Sequence, residues 1–132
     1  MMIRKKKAKT KARSNSNKKI YRKFIAYENV EREHVFKFEL EKYQEKDITS
    51  ILKKIKYFRN LEQILSPVYK NFQTGYYDIG RLRIGDFRIF VHRIDSSKWL
   101  MLHIFRKKSK KTPQKETNTA RNRLIEYKHR LL

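Results

Sequence analysis

Apolar residues recur every three or four positions in three stretches of this chain, which predicts three amphipathic helices. The first stretch covers 32–43, and the second begins near Asp47, which we expect to be its N-cap. We expect the third to begin at Thr112 and Pro113, because threonine caps a first turn and proline needs no hydrogen bond at the first helical position. Each predicted helix therefore has one apolar stripe that can pack against a core.

Apolar and polar residues alternate between 76 and 105, and this period predicts strands. Turns at 85–86 and 95–98 divide the stretch into three strands, which indicates an antiparallel meander. The last strand, 99–105, is apolar on both sides apart from His103, so it should be the most buried of the three.

A mixed run of aromatic, β-branched and basic residues over 20–27 predicts one more strand, ahead of the first helix. The expected order is therefore β-α-α-β-β-β-α. This order predicts an α+β fold in which helices pack against one face of a small, antiparallel-rich sheet. The length of 132 residues fits one domain, which we place at 20–132.

The charge of the chain is strongly positive and unevenly distributed. Its 35 Lys or Arg residues outnumber 13 Asp or Glu residues, which gives a net charge of +22. Residues 1–19 carry nine of the basic residues, no acidic residue and few apolar side chains, so we predict a flexible basic arm there. This arm is either a plain solvated tail or a segment that contacts phosphate groups. The charge as a whole indicates a polyanionic partner.

Several classes of protein are excluded by the same composition. The chain has no Cys, so disulfides, thiol chemistry and Cys-ligated zinc are ruled out. Its four histidines are far apart in sequence, and we expect neither a metal site nor a cofactor. No stretch approaches the roughly 20 apolar residues of a membrane span, and no apolar segment follows the basic N-terminus as in a secretory signal. We therefore expect no contact with a membrane.

The most conspicuous side chains are basic groups on the predicted sheet. Arg81 and Arg83 project from one face of a strand, and Arg88 lies on the next strand just past the turn. The connection to the last helix adds Lys107, Lys108, Lys110 and Lys111. If the two strands pair through the turn at 85–86, these groups can converge at one end of the sheet.

A site of this composition suits an RNA phosphodiester. Attack by the neighbouring 2′-hydroxyl needs a base for its proton, donors for the charge on the phosphate, and an acid or other group for the leaving oxygen. The planar fork of arginine fits phosphoryl oxygens, and a lysine beside other cations loses its proton more easily. Such a reaction requires no metal. The alternative is that these cations bind phosphates without cleaving, and composition alone does not separate the two.

Histidines and tyrosines supply other candidates, each with a structural alternative. His92 is a candidate acid or base, whereas His103, in an apolar strand, is expected to be a hydrogen-bonded core residue. Tyr76 and Tyr77 are candidates for stacking on a base, and Tyr127 is expected to pack in the core.

Several segments of the chain form an ordered set. Residues 99–113 combine an apolar strand that ends in His and Phe with a Lys-rich link to Thr-Pro. The other matching positions are Glu33-His34-Val35-Phe36, Lys70 with Gly75-Tyr-Tyr-Asp-Ile79, Phe87-Arg88-Ile89-Phe90, Ala120, Arg123 and Tyr127. This set resembles the phage-derived HigB-like toxins of the RelE/ParE superfamily, over about residues 20–130 and most strongly over 76–127.

The resemblance implies a RelE-like fold and the toxin half of a bacterial type II toxin–antitoxin pair. Such toxins act in the cytoplasm, where they cleave messenger RNA in the decoding site of the ribosome and leave a cyclic phosphate. The implied partners are the ribosome with its messenger RNA and a cognate antitoxin, commonly a helix-turn-helix protein. The antitoxin neutralises the toxin and represses the operon, so the toxin contacts operator DNA only through it.

The resemblance and the chemistry of the residues together define the candidate site. The resemblance implies that Arg88 stabilises the phosphate and that Lys107 or Lys108 transfers a proton or stabilises the leaving group. The candidate catalytic residues are Arg83, Arg88, Lys107 and Lys108. The candidate RNA-binding residues are Lys70, Arg81, His92, Lys110 and Lys111.

The chain also departs from the family pattern. Gly80 stands where the family usually has arginine, and Arg81 beside it would present its guanidinium from the opposite face of the strand. The hairpin 84–87 is longer than usual, and the arm at 1–19 is additional. Two alternatives therefore stay open: a ParE-like protein that inhibits a topoisomerase by binding, and a nucleic-acid-binding module of the same fold without catalysis.

Overall fold

Five strands and three helices form the part of the chain that the computed structural model describes, residues 19–73 and 75–132. In chain order they are β1 (Lys23–Ala26), α1 (Val35–Glu41), α2 (Glu45–Arg59), β2 (Tyr69–Gln73), β3 (Ile79–Ile84), β4 (Phe87–Asp95), β5 (Lys98–Arg106) and α3 (Gln114–Arg130). This content confirms the predicted α+β class. The predicted basic arm lies outside the described residues, apart from the exposed Lys19 at its end.

The strands form one mixed sheet in the order β1-β5-β4-β3-β2. Strand β1 pairs with β5 in parallel, and the other neighbouring strands pair antiparallel. Residues Ile84 and Phe87 face each other across the two-residue turn of the β3–β4 hairpin. Gly85 adopts a φ of 56° in this turn, a conformation that glycine takes without steric cost. The hairpin turn predicted at 85–86 is thus confirmed.

Strand β2 was not predicted, so the expected number of strands is wrong by one. It is an edge strand that pairs with β3, with Lys70 opposite Arg81. Tyr69 and Asn71 point to one face of β2, and Lys70 and Phe72 point to the other. Each face thus carries one aromatic and one polar residue, and no alternation of apolar and polar positions reveals the strand.

The predicted starts of the first two helices are also corrected. Helix α1 begins at Val35 rather than at residue 32, because the Asn29 carboxamide accepts hydrogen bonds from the N–H groups of Glu31 and Glu33, both at 3.0 Å, and holds this segment as a turn. Helix α2 begins at Glu45, and Asp47 makes no capping hydrogen bond. The Asp47 carboxylate instead lies 3.7 Å from Arg106 of β5.

Strand β1 is shorter than predicted, and helix α3 begins later than predicted. Strand β1 covers only Lys23–Ala26 of the predicted 20–27, because its pairing with β5 is limited to these four residues. Helix α3 begins at Gln114, and its N-cap position is Pro113. The Thr112 hydroxyl does not cap the helix, because Thr112 lies one residue before the N-cap; it accepts a hydrogen bond from the Arg81 guanidinium at 2.8 Å instead.

Helices cover both faces of the sheet, and the prediction that they share one face is wrong. Ile51 of α2 lines a cavity with Ile84 and Phe87, which places α2 on the face that these two side chains share. Helix α3 contacts β5, where Glu116 meets the side chain of His103. His103 faces Phe90 across the sheet, and Phe90 points away from the α2 side of β4. We call these two sides the α2 face and the α3 face.

The close approach of Tyr69 explains why position 80 is occupied by glycine. The Tyr69 ring fills the position that a Cβ at Gly80 would occupy. From there the ring reaches Trp99, with 5.2 Å between the ring centroids. An arginine at position 80 is therefore incompatible with Tyr69 in this conformation.

This packing predicts that Gly80→Ala lowers the free energy of unfolding by about 1–3 kcal/mol, because the added methyl group must displace the Tyr69 ring. Urea denaturation measures the effect. The matched control repeats the substitution in a Tyr69→Ala background, where the methyl group has room and the loss should shrink to a few tenths of a kcal/mol. An equal loss in both backgrounds would show that contact with Tyr69 is not its cause.

Candidate functional site

The register of the sheet arranges basic side chains in two rows on the α3 face. Directly opposed residues in neighbouring strands point to the same face. One row runs across four strands and consists of Lys70, Arg81, Phe90 and His103. The adjacent row consists of Arg83, Arg88 and Phe105. The aromatic side chains of Phe90 and Phe105 therefore separate the basic groups of β2, β3 and β4 from the centre of β5.

Arg88 is the most buried of these cations, with 8% of its surface exposed. Its Nη1 donates hydrogen bonds to the backbone carbonyls of Gly85 at 2.7 Å and Phe87 at 2.9 Å. Burial lowers the pKa of Arg88, and the charges of Arg83 and Arg81 lower it further. The turn thus fixes one nitrogen of the guanidinium, and in 19–73 and 75–132 neither Nε nor Nη2 has a hydrogen-bond partner.

Lys107 joins this group from the end of β5. Its backbone N–H donates to the Asp86 carbonyl at 2.7 Å, which ties it to the turn that also holds Arg88. Desolvation lowers the pKa of its ammonium group, and so do the charges of four nearby cations. These cations are Arg81, Arg88, Arg83 and Lys70. We call the five residues Lys70, Arg81, Arg83, Arg88 and Lys107 the cationic cluster.

The structure places the remaining candidate lysines around this cluster to different degrees. Lys108 and Lys110 line an open depression of about 340 Å³ together with Arg88 and Lys107. Lys111 is exposed and does not line the depression, although its carbonyl accepts a hydrogen bond from Ser109 at 3.0 Å.

His92 lies away from the cluster. It follows Arg88 by four residues in β4, about 13 Å along the strand. Its side chain is buried, and Nδ1 lies 2.7 Å from the Asp78 carbonyl oxygen and 3.1 Å from the Asp78 carboxylate. Asp78 thus holds the ring at the other end of the strand.

Among the tyrosines, Tyr76 is exposed and its ring lies under the ammonium group of Lys128, 4.1 Å from the ring centroid. Tyr77 packs edge-on against Tyr76, and Tyr127 is partly buried against the core.

A partly buried ionic network, which includes His103 from the same row as Arg81, was not predicted. The Glu39 carboxylate of α1 accepts hydrogen bonds from Arg123 of α3 at 2.8 and 2.7 Å. The two ring nitrogens of His103 in β5 contact two carboxylates, Glu39 at 3.0 Å and Glu116 at 2.6 Å. Arg123 also donates to the Leu102 carbonyl at 2.8 Å.

This network determines where the lysine-rich connection can lie. It joins α1, β5 and α3, and so it fixes both ends of the segment 107–113 that carries Lys107 and Lys108. In the sequence, the only sign of this network is the polar His103 in an otherwise apolar strand. The residues that it joins are 13 to 84 positions apart, so no local pattern reveals their contacts.

Desolvation raises the pKa of Glu39, but the hydrogen bonds and charges of His103 and Arg123 outweigh this effect, and the net shift is downward. The carboxylate is therefore ionised in the folded protein at neutral pH.

In the ranges 19–73 and 75–132, no group of three or more His, Asp or Glu side chains is arranged so that it could hold a metal ion. None of the helices described is long and apolar enough to cross a membrane.

Comparison with protein families identifies a match. The model of the family described as phage-derived protein Gp49-like (DUF891) matches residues 34–125. The matched region begins just before α1, includes the whole cationic cluster and ends within α3. No curated protein matches the chain.

The ionic network predicts a specific dependence of stability on pH. Because the folded protein lowers the pKa of Glu39, this stabilisation is complete above the ordinary glutamate pKa of about 4.3 and is lost as the pH falls below it. Glu39→Gln should lower the free energy of unfolding at pH 7 by about 3 kcal/mol, since it leaves charged partners unpaired. It should also flatten the decline of stability between pH 6 and pH 3, measured by urea denaturation.

The control for this experiment is Glu45→Gln, which removes an exposed carboxylate at the start of α2. This variant should keep both the stability and the pH profile of the wild type. A Glu39→Gln profile as steep as that of the wild type would contradict the proposed role of the network.

Proposed function

Because this chain belongs to the family of phage-derived Gp49-like proteins, a family of RelE-type toxins, we propose that it is a HigB-like toxin that cleaves messenger RNA on the ribosome. The observation that carries the proposal is the cationic cluster, in which one lysine with a lowered pKa lies beside a guanidinium held by backbone carbonyls. Binding a phosphate would require only the charges. A lysine that gives up its proton more easily than usual adds the means for acid–base chemistry.

The proposed reaction is transfer within the RNA strand. The 2′-hydroxyl loses its proton to a base, and its oxygen forms a bond to the adjacent phosphorus. The bond from phosphorus to the 5′ oxygen breaks, and this oxygen takes up a proton. The products are a 2′,3′-cyclic phosphate and a 5′-hydroxyl, and no other reactant is consumed.

Arg88 is suited to stabilise the charge that develops on the phosphate. With Nη1 held by the carbonyls of Gly85 and Phe87, the other donors of the fork are oriented before the substrate arrives. Arg83, directly opposite on β3, adds a second guanidinium to the same end of the sheet. Lys70 and Arg81 extend the positive charge over β2 and β3. We expect the other phosphates of the RNA to bind there.

Lys107 is the preferred group for proton transfer. It is partly buried, and its pKa is lowered by desolvation and by four nearby cations. Lys108 is exposed beside it, and we assign it with Lys110 to contacts with flanking phosphates. His92 has no direct part in this mechanism, because Asp78 holds it at the other end of β4.

The partners of this proposal are the ribosome with its messenger RNA and a cognate antitoxin. An antitoxin that neutralises the toxin must cover or distort a site with a large positive charge, so we expect it to present acidic side chains. Contact with operator DNA is expected only through the antitoxin.

A second candidate is a binding module of the same fold without catalysis, including a ParE-like inhibitor of a topoisomerase. The observation in its favour is Gly80, which removes the arginine that the family usually carries at this position. Arg81 does not restore that group freely, because Nη1 of its guanidinium donates to Thr112.

Controlled expression in a bacterial host tests the first candidate. Wild-type protein should arrest growth and produce new 5′ ends within translated messages. Arg88→Ala should reduce cleavage about 100- to 1,000-fold, the usual effect of removing one preorganised donor. The readout is the map of messenger 5′ ends shortly after induction.

Arg121→Ala serves as the control, because it removes one positive charge from an exposed position of α3 outside the cluster. This variant should cleave as the wild type does. Growth arrest with intact messages would favour the binding candidates, and signs of DNA damage would then point to the topoisomerase inhibitor.

The rate of cleavage should rise with pH as Lys107 loses its proton, if this residue is the base. The charge of Arg81 contributes to the low pKa of Lys107, so Arg81→Gln should raise that pKa and move the rising limb to higher pH. Single-turnover cleavage of ribosome-bound messenger, measured across the pH range, gives the profile.

Lys107→Arg provides the comparison, because it keeps the positive charge but cannot deprotonate. We expect it to retain binding and to lose cleavage at every pH. An unchanged profile in Arg81→Gln would mean that Lys107 is not the titrating group.

A further inference from the structure

A second cavity opens beside the cationic cluster. It has a volume of about 380 Å³ and lies between the C-terminal half of α2, the segment that follows this helix, and the end of β3. The side chains that matter for its chemistry are Lys54, Tyr57, Leu61, Leu65, Val68 and Arg83. The cavity is thus mostly apolar, with one cation at each of two edges, and its volume is in the range of small-molecule sites.

Two of the apolar side chains in this cavity are unusually exposed. Tyr57 has 49% of its surface exposed and Leu65 has 67%. The ammonium group of Lys54 lies 5.2 Å from the centroid of the Tyr57 ring. This ammonium group lies over one face of the ring, so a base would stack on the other face, as bases do on aromatic side chains in proteins that bind single-stranded nucleic acid.

Arg83 connects this cavity to the cationic cluster. Arg83 is among the residues that line the cavity, and its charge lowers the pKa of both Arg88 and Lys107. Arg83 therefore borders both the cavity and the cationic cluster. A ligand with an apolar planar part and an adjoining anionic part can use both at once.

We propose that this cavity is a base-binding subsite for single-stranded RNA. It receives the base of a nucleotide flanking the phosphate on Arg88, and the backbone of the same strand passes over Arg83. The proposal rests on the proposed function, because it assumes that RNA lies on the cationic cluster.

The charges around the cavity favour RNA over an apolar segment of a protein. No acidic residue lines the cavity, so Lys54 and Arg83 have no carboxylate of this surface beside them. An apolar side chain from another protein would fill the space but would make no use of the two exposed cations. A nucleotide supplies the planar apolar group and the negative charge together.

The test measures binding without the ribosome and without cleavage. The probes are a short 2′-O-methyl oligoadenylate, which has no free 2′-hydroxyl, and an abasic 2′-O-methyl strand of equal length. Fluorescence anisotropy should show that Tyr57→Ala weakens binding of the oligoadenylate about tenfold, the usual contribution of one stacked base. Binding of the abasic strand should stay the same, because Tyr57 contacts no phosphate in this proposal.

Three further variants complete the test, two of which should leave binding unchanged. Tyr57→Phe keeps the ring and should bind both probes like the wild type. Phe38→Ala removes an equally exposed aromatic side chain, 53% exposed, from α1 outside the cavity, and should also leave binding unchanged. Arg83→Ala should weaken binding of both probes and reduce the slope of affinity against salt by about one.

Equal effects of Tyr57→Ala on the two probes, or no effect on either, would overturn the subsite. This binding test can fail independently of the cleavage test for the proposed function. A protein that binds RNA without cleaving it would still discriminate the two probes through Tyr57. A protein that cleaves messages but shows no such discrimination would keep the proposed function and lose only the subsite.

Discussion

The register between β3 and β4 is the constraint on which the rest of this structure depends. Side chains alternate between the two faces of a strand, so a slip of one residue would turn Arg81 and Arg83 to the α2 face and bury them against apolar side chains. The two-residue turn at 85–86 prevents this slip, and the apolar residues of β3 and β4 reinforce it, since they are buried only in this register. The position of the positive charge is therefore a property of the backbone pairing.

Like charges placed this close repel one another, whereas a second group of charges on the same side of the sheet is paired. In this Glu39 network, Arg123 and His103 meet two carboxylates. These carboxylates hold α1 and α3 against β5 but leave the cationic cluster unneutralised, because their charges are already engaged. The protein thus keeps a positive surface for a ligand while the charges of the Glu39 network pair with one another.

Much of this architecture could be predicted from periodicity, and the parts that could not share one cause. The amphipathic pattern of α2 and the hairpin at 85–86 are local, so a short window of sequence reveals them. Strand β2 is defined by its pairing with β3, and the Thr112 hydroxyl binds Arg81, 31 residues away, so both features depend on residues distant in sequence. The same holds for the cavity at Tyr57, which forms only when the end of β3 meets α2.

The turn between β3 and β4 also fixes the spacing between Arg88 and Lys107. Its carbonyl groups hold Arg88 through Gly85 and Phe87, and they hold the backbone of Lys107 through Asp86. Carbonyl groups are the same in every amino acid, so the spacing between guanidinium and ammonium tolerates changes of side chain at position 86. It does not tolerate a change of length. Related chains are therefore free to vary in sequence here, whereas an inserted or deleted residue would separate the two groups.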